Sequence, residues 1–422
     1  MKQDVEIVLN RFKLKYNGEN MGIVGIIILL GIAFLLSNNK KKINYKLIGW
    51  GLGIQLSFAL LILKSPVGKP IFSQMDKAIT KLISFSDAGS DFLFRSFVPD
   101  VGFHVGLINF AFRALPTIIF FSSLMCVLYH FGIIQYIVKY IAKLMQKTMG
   151  TSGSETLSVS ANIFVGQTEA PLMVKPFVNN MTKSELMAVM TGGFATAAGG
   201  VLALYVMWLQ DIPGIAGHLL AASVMSAPAA LVIAKIIYPE TEKSDTLGDL
   251  NVNIKSNDAN ALDALGRGAT DGLKLAANIA AMLVAFISFV AMINYILSFL
   301  NTSLEDIMGL FFKPLAYTMG VPWSEAEIMG TLMGKKLALT ELIAYDDLRT
   351  YVLNGEISKR TAVIASYALC GFANFGSIGI QIGGLAIMAP NRRKELSLLA
   401  FKAMIGGALA SWITACIAGI LI

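Results

Sequence analysis

Apolar residues in this chain fall into long runs separated by short polar or charged segments. A helix that crosses a bilayer needs about 20 mostly apolar residues. Eight segments are candidate spans, the first of them short. They are residues 22–36, 43–63, 114–134, 186–209, 219–239, 273–300, 362–388 and 396–422. The pattern predicts an all-α polytopic membrane protein with eight transmembrane helices.

Two of these spans are interrupted, and two further apolar segments are too short to cross. Residues 192–200 and 371–377 interrupt the spans at 186–209 and 362–388. Residues 160–175 carry Gly166-Gln167-Thr168-Glu169 between apolar flanks, and residues 330–345 carry Glu341. Broken backbone at membrane depth requires surrounding protein or a wet cavity. We therefore predict two re-entrant helical hairpins; the alternative for the first is a kinked span with one salt-bridged glutamate.

The second half of the chain repeats the first in outline. In each half a polar-tipped segment (Thr168-Glu169, then Thr340-Glu341) precedes an interrupted span and an intact one. Such repeats indicate a secondary transporter with its site at mid-membrane. We predict scaffold in residues 1–150, transport repeat 1 in 151–238, linker and scaffold span in 239–326, and transport repeat 2 in 327–422. The linker itself is the charged stretch 239–271.

Charged residues indicate the orientation. Lysine and arginine clusters mark the cytoplasmic side, and the clusters are Lys40 to Lys42, the Lys139/Lys143/Lys147 group and Arg392-Arg393-Lys394. The loops with Asp211 and with Glu305-Asp306 then lie outside, as do both termini, and the two hairpins enter from opposite sides as an inverted repeat requires. In residues 70–85 apolar residues recur at helical spacing opposite charged ones, which predicts an amphipathic helix at the membrane surface. Packing of this helix against a partner is the alternative.

Composition agrees with a membrane protein. The 422 residues are 55% apolar and 14% charged, against about 25% charged in soluble domains. The net charge of +7 comes from clusters between apolar runs, which does not indicate nucleic acid. No cluster has metal-ligand spacing and no nucleophile–base pair is evident, so an enzyme is not expected.

Polar side chains at the four interruptions are the candidate site. Glu169 and Glu341 can accept hydrogen bonds from a neutral polar solute, hold a cation or carry a proton. Gln167, Thr168 and Asn374 add donors and acceptors. Phe372 offers an aromatic face to a flat ring. For each residue alone, a polar contact between helices is the competing interpretation.

A cation could bind beside the first tip. Asn162 and Thr196 offer side-chain oxygens, and unwound carbonyls would complete the shell of a small hard ion. The alternative for Asn162 is that it caps a half-helix.

Three motifs resemble the concentrative nucleoside transporter family, and the likeness covers nearly the whole chain from Gly22. They are Gly166-Gln167-Thr168-Glu169-Ala170-Pro171, Ala195-Thr196-Ala197-Ala198-Gly199-Gly200-Val201 and Cys370-Gly371-Phe372-Ala373-Asn374. The resemblance implies a homotrimer in the bacterial inner membrane, each protomer with eight spans, two re-entrant hairpins and an interfacial helix. A mobile transport domain would slide as an elevator against a fixed scaffold in the lipid bilayer.

The resemblance also implies roles for individual residues. Gln167, Thr168 and Glu169 would bind the nucleobase, with Gly166 and Val201 shaping its pocket. Glu341, Asn374 and Ser377 would bind the ribose, and Phe372 would pack on the nucleoside. The co-transported sodium ion would be bound by the side chains of Asn162 and Thr196 and by carbonyls of Val165, Thr196 and Ala197. Thr340 and Gly376 depart from the family pattern of Asn and Ser.

We therefore expect sodium-coupled uptake of nucleosides such as uridine by an elevator mechanism. A proton-coupled symporter with Glu169 or Glu341 as carrier is the first alternative. A passive nucleoside channel or sensor is the second, and an intramembrane enzyme is the third. Purine or pyrimidine preference and stoichiometry are left open by the sequence.

Overall fold

The computed structural model describes residues 18–66, 68–94, 111–112, 115–248 and 258–422, and this part of the chain is helical apart from turns and one isolated bridge. In chain order its α-helices are α1 (Gly18–Leu35), α2 (Tyr45–Ala59), α3 (Gly68–Phe94), α4 (Leu115–His130), α5 (Ile133–Met149), α6 (Gly153–Ala161), α7 (Lys175–Val178), α8 (Lys183–Ala195), α9 (Gly199–Trp208), α10 (Ile215–Ile237), α11 (Ala261–Ser298), α12 (Leu304–Thr318), α13 (Ala326–Ala338), α14 (Glu341–Leu353), α15 (Lys359–Leu369), α16 (Phe375–Met388) and α17 (Arg393–Leu421).

Five segments within the described ranges are long and apolar enough to cross a membrane. They are Tyr45–Lys64, Lys183–Trp208, Ile215–Ile237, Ala261–Ser298 and Pro390–Leu421. The bent pair α4 and α5 makes a sixth if it is counted as one span, and Met21–Leu35 and Phe375–Met388 are shorter apolar helices. The multi-helical membrane architecture agrees with the sequence, and the count of eight spans stays a prediction.

The predicted interruptions coincide with breaks between helices. α8 ends at Ala195 and α9 begins at Gly199, and Thr196 between them has extended backbone. α15 ends at Leu369 and α16 begins at Phe375. The two polar tips also lie between helices: one follows α6, and the other joins α13 to α14 at Leu339-Thr340. The sequence located all four breaks, and whether the tips re-enter the membrane stays a prediction.

The third predicted span turns where the sequence shows no interruption. α4 ends at His130, and α5 leaves it at an angle of 75°. Gly132 has φ +76° at this corner, a left-handed conformation that glycine adopts without steric cost. α5 then buries one face and leaves Lys139, Lys143 and Lys147 on the other. The sequence presents these lysines only as a topology signal, so it does not predict this helix.

Other element boundaries also differ from the sequence predictions. The amphipathic helix runs over Gly68–Phe94 rather than 70–85, because its pattern continues past Phe85. The linker is shorter than predicted, since α11 begins at Ala261, capped by the Asn260 side chain. Glu305-Asp306 belongs to the first turn of α12, which Ser303 caps, rather than to a loop. Residues 249–257 of the linker lie outside the described residues.

Small residues let α11 pack closely on α4. Ala264, Gly268, Gly272 and Ala276 recur every four residues and are buried. A Cβ atom at Gly268 would lie 2.6 Å from Cα of Ser123, so only glycine permits this approach. Close packing of small residues stabilises helix pairs in membranes. Most of the remaining surface of α11 is exposed and apolar, including Val284, Phe289 and Tyr295.

The amphipathic helix α3 docks on the start of α10. Oδ1 of Asp76 accepts hydrogen bonds from the backbone N–H groups of Ala216 and Gly217, at 3.0 and 3.3 Å. These N–H groups belong to a helix N-terminus, which favours a carboxylate. The Phe72 ring lies against Gly217, where an added Cβ would be 2.5 Å from the ring. α3 therefore packs against a partner helix, as the alternative interpretation allowed.

Candidate functional site

A cavity of about 1370 Å³ lies where the four chain breaks meet. Its walls come from the first tip, the break between α8 and α9, the second tip, and the break between α15 and α16, with α4 and α11 closing the side. All nine residues predicted to bind nucleoside line it. They are Gly166, Gln167, Thr168, Glu169, Val201, Glu341, Phe372, Asn374 and Ser377. Residues up to 211 positions apart in sequence thus share one cavity.

Glu341 is bound through both carboxylate oxygens. The Tyr205 hydroxyl donates to Oε1 at 2.6 Å, and the Asn374 amide donates to Oε2 at 2.9 Å. Asn374 caps α16, and its Oδ1 accepts from the Ser377 N–H at 2.8 Å. This bond directs the amide NH₂ group of Asn374 toward Glu341. Glu341 as a whole residue is 5% exposed, and each of its carboxylate oxygens keeps lone pairs that can accept from a solute hydroxyl.

Thr340 starts α14 as its N-cap, with Oγ1 accepting from the Ile343 N–H at 3.4 Å. Glu341 is therefore in the first turn, where the helix dipole stabilises its negative charge. Gly376 packs against α11: a Cβ there would lie 3.0 Å from Cε of Met282 and 3.4 Å from Oδ1 of Asn374. Larger side chains at either position would change the wall of the cavity beside Glu341.

At the first tip, Glu169 faces the cavity. Its Oε2 accepts a hydrogen bond from the Gly166 N–H, and within the described ranges it has no ion-pair partner. The salt-bridged glutamate of the alternative interpretation is therefore not found there. Gln167 is 7% exposed, and its Oε1 has no hydrogen-bond partner among the described residues. The tip thus offers free acceptor atoms to a solute with N–H groups.

The residues predicted to bind sodium belong to the segment that leads to this tip and to the break between α8 and α9. Val165 lines the cavity, while Asn162, Thr196 and Ala197 are buried and are not among its lining residues. Asn162 is the C-cap of α6, and its Nδ2 donates to the Ser158 carbonyl at 3.1 Å. Its Oδ1 is buried without a hydrogen-bond partner in the described part of the chain. The side chain therefore caps the half-helix and also leaves one oxygen free, which suits a hard cation.

The backbones of the two broken spans and of the first tip meet near Thr196. The Phe372 N–H donates to the Thr196 carbonyl at 3.3 Å, and Gly199 donates to the Phe164 carbonyl at 3.0 Å. Gly371, at φ +103°, lies so close that a Cβ would be 2.5 Å from the Ala195 carbonyl oxygen. Thr196 Oγ1 donates to the Gly192 carbonyl and keeps its lone pairs. The site residues fit the ion, and their ligand roles stay predictions.

The sequence missed several residues of the cavity wall. Tyr205 falls inside an apolar run of the sequence, although its hydroxyl donates to Glu341. Asn278 and Thr270 of α11 and Ser122 of α4 also line the cavity. Asn278 is a polar residue inside the predicted span 273–300, and this is a signal that could have identified it, but nothing in the sequence placed it near the tips.

A helical, apolar chain with a polar cavity between two broken helices belongs to the class of membrane transporters. The particular family follows from comparison with known proteins. Family models match residues 24–97 (Na⁺ dependent nucleoside transporter N-terminus), 111–210 (nucleoside recognition) and 218–419 (Na⁺ dependent nucleoside transporter C-terminus). The chain belongs to this family of Na⁺-dependent nucleoside transporters, which confirms the resemblance.

Similar proteins span several organisms. The chain is 42% identical to sodium/nucleoside cotransporter 1 of Mus musculus over 94% of its own length, and it spans 63% of that relative. It is 43% identical to an uncharacterized transporter of Haemophilus influenzae, with 95% and 97% of the two chains covered. The structure of CNTnw in an inward-facing substrate-bound state matches with a TM-score of 0.88 at 41% identity, over 96% and 98% of the chains.

Proposed function

We propose that this protein imports nucleosides such as uridine across the cell inner membrane, coupled to entry of sodium. The observation that carries the proposal is that the four chain breaks place nine polar, aromatic and small residues around one cavity. The mouse relative is named a sodium/nucleoside cotransporter, and we extend that activity to this chain on the strength of the cavity chemistry.

The cavity divides into two chemically different ends. At the first tip, Gln167, Thr168 and Glu169 present the acceptors and donors that the edge of a nucleobase requires. At the second tip, Glu341 with Asn374 presents a buried, hydrogen-bonded carboxylate for the sugar hydroxyls. Phe372 packs on the bound nucleoside. A hydrogen bond to a charged acceptor contributes about 1.5–3 kcal/mol, which makes Glu341 the main determinant of sugar recognition.

Sodium binds beside the nucleobase end in this proposal, held by Asn162, Val165, Thr196 and Ala197. The unpartnered Oδ1 of Asn162 supports the assignment. Each elementary charge that enters gains about 2.3 kcal/mol per 100 mV. Since about 1.4 kcal/mol is a factor of ten, one ion can concentrate a neutral nucleoside more than about tenfold.

The movement we propose is an elevator within a homotrimer. The transport domain contains both re-entrant hairpins and both broken spans, so the site moves as one body. The helices of residues 1–150 (α1 to α5) and the span α11 form the stationary scaffold. The exposed apolar face of α11 supports a role for it in contacts with lipid or with other protomers.

A proton-coupled symporter remains the second candidate, because Glu169 faces the cavity without an ion-pair partner in the described chain. Uptake of labelled uridine into proteoliposomes separates the two. We expect accumulation under an inward sodium gradient and none with potassium at equal pH. Accumulation driven by a proton gradient without sodium would show that the coupled ion is the proton rather than sodium. Equilibration without accumulation under either gradient would indicate a passive channel.

A further inference from the structure

Lys336 is a buried cation to which neither the nucleoside site nor the sodium site gives a role. Its side chain is 0% exposed, and it lies in the last turn of α13. Nζ donates to the carbonyl oxygens of Ala368 at 2.9 Å and Cys370 at 3.2 Å. No carboxylate oxygen of the described residues lies within ion-pair distance of it. Burying a charge is costly unless nearby groups compensate it.

The neighbouring residue shows that this arrangement is specific. Lys335 pairs with Asp347 at 2.7 Å and with Glu305 at 3.3 Å. Lys336 instead points into the protein at the end of α15, where that helix breaks. The last carbonyls of a helix carry partial negative charge, which favours a cation. The Ser411 hydroxyl also donates to the Cys370 carbonyl, at 2.7 Å.

Sequence spacing relates Lys336 to Asn162, a residue of the predicted sodium site in the first half of the chain. Asn162 precedes Thr196 by 34 residues, and Lys336 precedes Cys370 by the same 34. Thr196 is the C-cap of α8 and Cys370 is the C-cap of α15, both with extended backbone. Asn162 is the C-cap of α6, and Lys336 lies in the last turn of α13, two residues before that helix ends at Ala338; each helix leads to a polar tip. The spacing to the tip glutamate differs by two residues between the repeats, since Glu169 follows Asn162 by seven positions and Glu341 follows Lys336 by five.

We propose that the ammonium group of Lys336 is a tethered cation that occupies, in the second repeat, the position taken by the co-transported ion in the first. This inference rests on the proposed function. In the first repeat the short amide side chain of Asn162 leaves a buried oxygen without a hydrogen-bond partner among the described residues. In the second repeat a long side chain places its own positive charge against the carbonyls of the broken helix. The second repeat therefore binds no ion.

The consequence concerns energy coupling. A tethered charge crosses with the loaded transport domain and returns with the empty one, so over a full cycle it moves no net charge. A bound sodium ion crosses only inward and gains energy from the membrane potential. Lys336 thus fixes coupling at about one ion per nucleoside, because its charge fills the place that a second ion would take.

The test replaces the ammonium group in three ways. Lys336→Asn supplies the amide that Asn162 supplies in the first repeat, Lys336→Met supplies neither charge nor oxygen, and Lys336→Arg keeps the charge. Lys335→Gln is the matched control on the adjacent residue. Charge moved per labelled uridine is measured in proteoliposomes under a set potential. Thermal unfolding in isolated membranes is measured over a sodium series balanced with choline.

For the unaltered protein, the arginine variant and the Lys335 control we expect about one charge per nucleoside. For Lys336→Asn we expect about two, together with a steeper rise of the unfolding temperature with sodium. Lys336→Met should lose stability that sodium does not restore. If Lys336→Asn does not transport, its unfolding temperature over the sodium series still shows whether it binds an additional ion.

Three results would overturn the inference. The first is that the unaltered protein moves about two charges per nucleoside. The second is that the unfolding temperature of Lys336→Asn responds to sodium as that of the unaltered protein does, and the third is that sodium restores the stability of Lys336→Met as well as that of Lys336→Asn. If the unaltered protein shows no sodium dependence at all, the proposed sodium coupling fails instead. The two failures are therefore distinguishable.

Discussion

The Tyr205 hydroxyl donates a hydrogen bond of 2.6 Å to Glu341, although 136 positions separate the two residues. Tyr205 belongs to the broken span of the first repeat, and Glu341 to the tip of the second. The bond joins the two halves of the site inside a nearly inaccessible region. Neighbouring Tyr345 packs on Tyr205 with ring centroids 4.6 Å apart, and its own hydroxyl donates elsewhere, to the Ser366 carbonyl.

Tyr205→Phe should weaken uridine binding, because it removes a donor that holds the Glu341 carboxylate in place. A hydrogen bond to a charged group contributes about 1.5–3 kcal/mol, so we expect calorimetry to show a loss within or below that range. Tyr345→Phe is the control, since its hydroxyl does not contact Glu341. Unchanged affinity for Tyr205→Phe would mean that Asn374 alone positions the carboxylate.

Glu341→Gln should weaken binding of uridine by about 1.5–3 kcal/mol and that of 2′-deoxyuridine by less, because the deoxy sugar has one hydroxyl fewer to lose. The glutamine side chain keeps the size of the glutamate, so the cavity keeps its shape. Calorimetry with both ligands on one preparation measures the contrast. Equal losses for the two ligands would remove Glu341 from the sugar end of the site.

Asn162→Ala combined with Thr196→Ala should abolish the sodium dependence of nucleoside affinity, because coupling between two binding sites is reciprocal. Uridine affinity is measured at several sodium concentrations. Ser160→Ala is the control: it lies in the same helix, and its hydroxyl contacts the Met145 sulfur rather than the ion site. If sodium still tightens uridine binding to the double variant, the ion binds elsewhere.

The elevator can be stopped with a disulfide between α4 and α9. A Cβ atom at Gly200 would lie 3.4 Å from Oγ of Ser122, the atom that the sulfur of a cysteine would replace, and the Cβ atoms of bridged cysteines are about 3.5–4.5 Å apart. In a background without Cys126, Cys370 and Cys416, oxidation of Ser122→Cys with Gly200→Cys should stop uptake, and a reductant should restore it. Uptake and uridine binding are measured on the same oxidised sample, and binding should stay at the level of the reduced double variant, which is the reference because both residues line the cavity.

The matched control crosslinks two helices of the transport domain to each other. A Cβ at Gly406 in α17 would lie 3.3 Å from Oγ1 of Thr191 in α8. The oxidised pair Thr191→Cys with Gly406→Cys should continue to transport, because both residues move together. Continued uptake by the fully oxidised Ser122/Gly200 pair would instead exclude the elevator.

Gly217→Ala should destabilise the protein by about 1–3 kcal/mol, because its methyl group overlaps the Phe72 ring. Thermal unfolding measures the loss. Phe72→Ala in the same chain should recover part of it, since neighbouring substitutions are not additive. Gly49→Ala is the control, because no atom lies within 4 Å of the position that its methyl group would take. An unchanged unfolding temperature for Gly217→Ala would mean that α3 moves aside at little cost.

The sequence by itself determined the features that depend on local pattern. Apolar runs defined the helices that can cross a membrane, because each must satisfy its backbone in lipid. Glycine-rich interruptions located the breaks at Thr196 and Asn374, and polar residues located both tips. These signals fall within a few residues of each break, so no knowledge of packing was needed to read them.

Only the tertiary structure decided which of these features meet. The bond from Tyr205 to Glu341, the crossing of Gly371 over Ala195 and the burial of Lys336 against Cys370 all join segments distant in sequence. The 75° turn at Gly132 was not predicted either, because an isolated glycine between apolar residues does not distinguish a turn from a continuous span. Such contacts depend on how helices pack, and periodicity along one helix carries no information about its partner.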